Sequence, residues 1–326
     1  MQLSRLSSDC LTHLAALGRS RHTILNYDIA HRQLLAYITV TLGLTDDARH
    51  FTESAVIGFM NELHKNGADQ NTIRARLSAL ASLAKYGARV KDGRGRPVIA
   101  INPMAGLERP QRKRPPEKFL LPDELWAFLS VPRPLRDAVV RDVLIDTGLR
   151  RAELCVANVG DLIRIEGQTT LQVTVKGGMT TQVPISPPIA GLLQDWLLSR
   201  NLPGPTEPLF INTMGERYAG VTLAGLILRI GKAAGIARFD VTPHVIRHTL
   251  EIIRRRQKID PAVRSRLLTH TSFASLGWYQ HVLPDELVAA RKEQWEGLQA
   301  YLGPGRDYAI QLCYQSSQSK AKPQES

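Results

Sequence analysis

Cysteine is scarce in the chain: Cys10, Cys155 and Cys313 are the only three among 326 residues, far apart and without metal-ligand spacing. An odd number so dispersed argues against a disulfide framework and fits a reducing cytoplasm. Nowhere do 18 consecutive apolar residues occur, and no charged segment followed by an apolar run opens the chain. Membrane spanning and export are therefore not expected. A glycine-rich GxxxxGK[ST] loop, HExxH, a CxxC pair and a GxSxG elbow are all missing. ATP hydrolysis, zinc chemistry and acyl transfer lose their usual signals. Acidic residues are scattered, so a two-metal nuclease has no obvious ligand set, and no cofactor or metal is expected.

What the chain does have is positive charge. Its formal net charge is +12 and its hydrophobic content 43%, enough for two domains of ordinary size. The excess is uneven, with 17 Lys/Arg against 9 Asp/Glu in residues 1–114 and 25 against 21 in residues 115–326. Such an excess points to a polyanionic partner, with the firmer electrostatic grip in the first third.

That first third reads as helices. In residues 20–38 Ser20 can cap, and Ile24, Tyr27, Ala30, Leu34 and Tyr37 form one apolar stripe. Residues 52–67 open on Thr52 and close on Gly67. Residues 71–90 place Ile73, Leu77, Leu80, Leu83 and Ala84 inward, which leaves Arg74, Arg76, Lys85 and Arg89 for solvent or a phosphate backbone. Between 102 and 125 stand five prolines and the basic run Arg112, Lys113, Arg114. This stretch reads as an extended linker able to lie along phosphates. Helices resume beyond it and are interrupted at 170–186, where Val173 and Val175 alternate before Gly177-Gly178, and Val183 and Ile185 after it, as in a β-hairpin. The fold expected is mostly α with a small β-sheet in the second domain.

Cationic and imidazole groups recur beside glycines and turns. Arg150 and Arg151 follow the helix stop Gly148, and Lys176 sits at the hairpin tip. His244 and Arg247 share one helix face behind the cap Thr242 and the first-turn Pro243, and His270 precedes Tyr279 by nine residues. Each alone is ordinary: surface arginines, a turn lysine, a half-buried tyrosine.

Together, in order and spacing, they resemble the tyrosine recombinase or phage-integrase family, in a Xer-like form without an arm-binding domain. Its TGLRxxEL box is met by Thr147, Gly148, Leu149, Arg150, Glu153 and Leu154, its KG…VPL hairpin by "KGGMTTQVPI", its HxLRHT box by "HVIRHT", and LGHxS plus tyrosine by "LTHTS" and Tyr279. The resemblance spans roughly residues 3–302, with residues 19–38 similar to the first helix of the family's helical, SAM-like core-binding domain. It implies that domain at 1–108, a basic linker at 109–118, a mixed α/β catalytic domain at 119–302 and a polar, disordered tail at 303–326. It also implies a site-specific recombinase, independent of metal and ATP, acting through a 3′-phosphotyrosyl intermediate to integrate, excise or resolve a mobile element or replicon. Arg150 and Arg247 would clamp the phosphate, His270 add a hydrogen bond, Lys176 protonate the leaving 5′ oxygen, His244 accept the nucleophile's proton and Tyr279 attack. The implied partners are double-stranded DNA sites in the nucleoid, further copies of the chain as a tetramer, and a partner recombinase.

Several positions depart from the pattern. Thr269 replaces a usual glycine, the hairpin lacks a second lysine and an arginine, and Leu250 and Glu251 stand where small residues are common. The resemblance implies that the helix at 284–302, with Leu287, Trp295, Leu298 and Leu302, packs on a neighbouring protomer; the alternative is packing within its own subunit. The alternatives are an accessory DNA-binding protein without catalysis, which would lack the tyrosine or an arginine, and a type IB topoisomerase-like enzyme acting as a monomer.

Overall fold

The computed structural model describes residues 1–111, 116–174, 180–267 and 284–308. The chain divides into two compact units, Met1–Pro116 and Glu117–Ser326.

The first unit is helical: α1 (Leu3–Ala16), α2 (Arg21–Ala36), α3 (Glu53–Lys65) and α4 (Gln70–Gly87). Each start after α1 is fixed by a side chain that accepts an otherwise unpaired backbone N–H. Ser20 takes that of Thr23, Thr52 that of Ala55 and Asp69 that of Thr72. Each such cap contributes about 1 kcal/mol. The core joins Leu6, Leu34, Val56, Leu77 and Leu80. The inward stripe expected for α4 is buried at Ile73, Leu77, Leu80, Leu83 and Ala84. Two differences from the sequence reading concern this unit. The stretch 19–38 holds the second helix, because α1 precedes it. In α2 the buried positions are Ala30, His31 and Leu34, so a histidine occupies the inward face.

Among the described residues between Gly87 and Pro122 there is no helix or strand beyond an isolated bridge, Lys91 with Pro97. The second unit contains α5 (Pro122–Ser130), α6 (Leu135–Thr147), α7 (Arg151–Val156), β1 (Leu162–Ile165), β2 (Gln168–Thr174), β3 (Thr180–Pro184), α8 (Pro187–Ser199), α9 (Gly220–Ala233), α10 (Pro243–Arg256), α11 (Pro261–Leu267) and α12 (Pro284–Leu302). The sheet is antiparallel in the order β1-β2-β3, with Leu162 opposite Leu171 and Leu171 opposite Val183. The β2–β3 pairing is the hairpin expected from the valine alternation. The sequence reading does not foresee β1, whose turn to β2 uses Glu166 and Gly167, both at positive φ (48° and 82°). Such two-residue turns favour Asn-Gly or Asp-Gly, so a Glu-Gly pair hides the signal.

Two further findings concern the C-terminal part. Helix α12 packs within its own chain: Leu298, Tyr301 and Leu302 complete the core of the second unit, and Leu287 and Ala290 close a smaller cluster with Ile259 and Leu267. Its apolar face is occupied within the single chain. The tail expected to be disordered from 303 instead includes Tyr308, which is fully buried and donates its hydroxyl hydrogen bond to Asp142 at 2.7 Å. The polar stretch 315–326 lies outside the described residues.

Candidate active site

Three of the six residues assigned to chemistry are described: Arg150, His244 and Arg247. Lys176, His270 and Tyr279 lie outside the described residues, as do Arg112, Lys113 and Arg114 of the linker.

The turn between α6 and α7 is built for Arg150. Helix α6 ends at Gly148, whose φ of 68° is left-handed and whose N–H returns to the Leu144 carbonyl at 2.9 Å. Glycine takes that conformation without the Cβ clash that other residues meet. The reversal puts Arg150 in extended geometry at the start of α7. Glu153 then holds it twice, accepting from the Arg150 backbone N–H at 2.8 Å and from its Nη1 at 2.7 Å. Glu153 is buried whereas the Arg150 side chain is 41% exposed, so the guanidinium is oriented from behind and reaches the surface. In the sequence Glu153 is part of the motif without a role of its own. Its spacing of three from an arginine at a helix start is the signal that it both caps and orients.

Helix α10 supplies the other two groups. Thr242 accepts the Val245 N–H at 3.3 Å, and Pro243 takes the first helical position. His244 therefore falls in the first turn and Arg247 one turn further on. Arg247 is buried, and its Nη1 donates to the Gly148 carbonyl at 2.7 Å, which ties α10 to the turn that carries Arg150.

These groups share one field. Desolvation, and then the Arg150 charge, pull Arg247 down to about 10, still charged at neutral pH. His244 is also pushed below its ordinary value, first by desolvation and then by His248, Arg247 and Arg150. Burial and the neighbouring charges thus favour its neutral imidazole, the form able to accept a proton. Two guanidinium groups and a histidine converging on one corner suit an anion with several oxygens, as a phosphodiester has.

The unusual residues after this box find ordinary uses. Leu250 is buried in the core, and Glu251 pairs with Arg255 at 3.2 Å while partly offsetting the depression of Arg247. In the first unit, Arg74 is half-buried and its Nη1 donates to the Pro110 carbonyl at 2.6 Å. Arg76 is half-buried and Lys85 exposed. Among the described residues no cluster of His, Cys, Asp and Glu could hold a metal ion, and no helix is long and apolar enough to cross a membrane.

Both units of the chain resemble known proteins. Residues 118–286 match the model of the phage integrase family, and residues 11–91 that of the phage integrase N-terminal SAM-like domain. The tyrosine recombinase XerC of Haemophilus ducreyi is 28% identical over 269 residues, covering 81% of this chain and 84% of its own. The tyrosine recombinase XerD of Listeria monocytogenes is 27% identical, with 81% and 89% covered. The fold is similar to that of XerH site-specific recombinase bound to a palindromic difH substrate, with a TM-score of 0.66, 20% identity and coverage of 88% and 83%. It is also similar to a lambda integrase dimer bound to a COC′ core site, with a TM-score of 0.63, 20% identity and coverage of 83% and 96%. With the family model matched over 118–286 and its N-terminal domain model over 11–91, the chain belongs to the phage integrase family and is a tyrosine recombinase.

Proposed function

We propose that the protein cuts and rejoins duplex DNA at specific sites through a 3′-phosphotyrosyl intermediate on Tyr279. The observation that carries this reading is the corner itself: Arg150 held by Glu153, Arg247 fastened to the same turn, and His244 beside them with its basicity lowered by burial and their charges. The arginines bind the non-bridging oxygens and neutralise the charge that grows as phosphorus becomes five-coordinate. The Tyr279 hydroxyl attacks phosphorus, its proton passes to His244, the bond from phosphorus to the 5′ oxygen breaks, and Lys176 protonates that oxygen. His270 adds a hydrogen bond to the phosphate. Because the phosphotyrosyl ester keeps the energy of the broken bond, a 5′ hydroxyl from a second strand reverses the step without ATP.

Strand exchange requires two DNA sites and a cleaving protomer at each strand, hence four copies of the chain. One structural neighbour is a lambda integrase tetramer bound to a Holliday junction, which supports that assembly by analogy of fold. Arg74, Arg76, Lys85 and the linker run Arg112, Lys113 and Arg114 serve as contacts to the phosphate backbone. The substrate is a replicon or mobile element that must be integrated, excised or resolved.

The test begins with a pool of nicked random-sequence duplexes incubated with protein in EDTA. DNA that stays attached in detergent is recovered and sequenced. Wild type is expected to enrich one site and Tyr279→Phe to recover none. Binding without any detergent-stable product would replace this reading with that of an accessory DNA-binding protein. Adducts that persist in Tyr279→Phe would move the nucleophile to another residue.

A further inference from the structure

Behind the Arg150 turn, side chains from two helices meet the end of a third in a buried polar cluster. Arg254 of α10 and Arg291 and Gln294 of α12 are each at most 2% exposed. They converge on the last carbonyls of α6. The Asp146 carbonyl accepts from Gln294 Nε2 at 2.7 Å and also from Arg291 Nη1. The Thr147 carbonyl accepts from Arg254 Nη2 at 3.2 Å, and the Gly148 carbonyl from Arg247 Nη1 at 2.7 Å. Three consecutive carbonyls, the negative end of the α6 dipole, thus face three arginines. Gln294 is the hub, because its Oε1 also accepts from Arg254 Nε at 2.7 Å and from Arg291 Nη1 at 3.0 Å. The Asp146 side chain extends the network by accepting the Ser186 backbone N–H at 3.0 Å, two residues beyond β3.

Burying two arginines against one carboxylate is costly, and packing alone does not demand it. The arrangement does fix the position of the turn from which Arg150 departs and to which Arg247 is fastened. It also joins that turn to α12, which begins five residues after Tyr279 in sequence. We propose that Arg254, Arg291 and Gln294 are positioning residues that seat the turn from Asp146 to Arg150, and with it the Arg150–Arg247 clamp, for the scissile phosphate. The proposal rests on the recombinase reading given above.

Two measurements on the full chain test it. The first is hydrogen exchange on the free protein, comparing wild type with Arg291→Met and Gln294→Met. Faster exchange confined to the amides from Gly148 to Arg150 is expected. Loss of protection throughout the catalytic unit, or no change at the turn, overturns the proposal. The second is single-turnover cleavage of the recovered site with either a phosphodiester or a methylphosphonate at the scissile position. Displacing a reacting group slightly slows a reaction by about 100-fold, the loss expected for both variants on the phosphodiester with DNA binding unchanged. A methylphosphonate lacks the negative charge that the clamp serves, so the deficit should shrink there to a few-fold. An equal deficit on both substrates would mean a general structural defect and overturn the assignment, as would wild-type rates in the folded variants. Arg291→Lys, which keeps one donor for the Asp146 carbonyl, should recover part of the rate. Should Arg291→Met not fold, Gln294→Met, which exchanges one neutral side chain for another, gives the answer. If wild type attaches to no DNA, the recombinase reading fails, while the exchange measurement still decides whether the network holds the turn.

Discussion

The two units bury polar groups on opposite plans. Among the described residues, the N-terminal unit buries one polar side chain, His31, beside a core made of Leu, Ile, Val, Phe, Ala and Cys10. The catalytic unit buries Arg141, Asp142, Asp146, Glu153, Arg247, Arg254 and Arg291. A helical module that presents an outer face needs only a closed apolar interior. A unit that must hold guanidinium groups in fixed positions needs rigid partners behind them, and those partners lose their water. The two interiors therefore answer to different demands. Burial of apolar area stabilises the first, and satisfaction of charge decides whether the second holds its shape.

The largest effect should come from breaking that satisfaction. Arg141 and Asp142 form a fully buried pair, with Arg141 Nε and Nη2 donating to the carboxylate at 2.7 and 3.0 Å. Asp142→Ala leaves the guanidinium without its counter-charge, a loss of about 3–5 kcal/mol. Urea unfolding followed by tryptophan fluorescence measures it, since Trp126, Trp196, Trp278 and Trp295 all lie in the second unit. The double variant Arg141→Met with Asp142→Leu should recover most of the loss, because it removes both charges. A small loss in the single variant would contradict the contrast drawn between the units.

In the N-terminal unit the corresponding weakness is volume. Leu77 is fully buried in its core, so Leu77→Ala should cost roughly 2–5 kcal/mol. Circular dichroism and hydrogen exchange over α4 report it, and no charge compensation should relieve it. Next comes Gly148→Ala, which forces a side chain into left-handed geometry at φ 68° for about 1–2 kcal/mol. Its loss of DNA cleavage should exceed what that stability change explains, because Arg150 and Arg247 both depend on the turn. Cleavage unchanged in a folded Gly148→Ala protein would show that the clamp does not depend on this turn.

Legibility in the sequence follows the same division. Helices α2, α3, α4 and α10 are readable because their caps, among them Ser20, Thr52 and Thr242, and their apolar spacing are local signals, and the β2–β3 hairpin is readable from alternating valines around two glycines. Arg150, His244 and Arg247 are readable as a set, and the structure brings them to one corner. The buried network is not readable. Arg254, Arg291 and Gln294 look like solvent-facing positions in a basic helix and a polar one. Only the meeting of α10 and α12 with α6, more than a hundred residues earlier in sequence, gives them partners. Tyr308 is hidden in the same way, as one aromatic in an otherwise polar tail. Strand β1 escapes because its turn chemistry is atypical.

The smallest effect is the pH response of His31, and it tests whether the N-terminal unit has a polar weakness at all. The ring is clasped from both sides: Ser7 Oγ lies 2.9 Å from Nδ1, and the Ala79 carbonyl 3.3 Å from Nε2. Asp28 and Arg32, paired with each other at 2.8 Å, are the nearby charges. A carbonyl only accepts, so Nε2 carries the hydrogen and Nδ1 accepts from Ser7. Desolvation holds the folded pKa below its ordinary value, opposed by the Ala79 carbonyl and by Asp28. Below a pH of about 6.5 the unfolded chain takes up a proton that the folded chain resists, so stability falls as the pH drops from there towards the depressed folded value. Above that window the contribution is constant. His31→Gln keeps a donor for Ala79 without titrating and should flatten the acid limb of protection over α2 and α4. The tryptophan-detected response of the catalytic unit, where His244 is depressed as well, should remain. If His31→Gln loses protection at the same pH as wild type, the acid sensitivity of the N-terminal unit belongs to carboxylates at its surface, and its core is as free of titrating weakness as its apolar packing suggests.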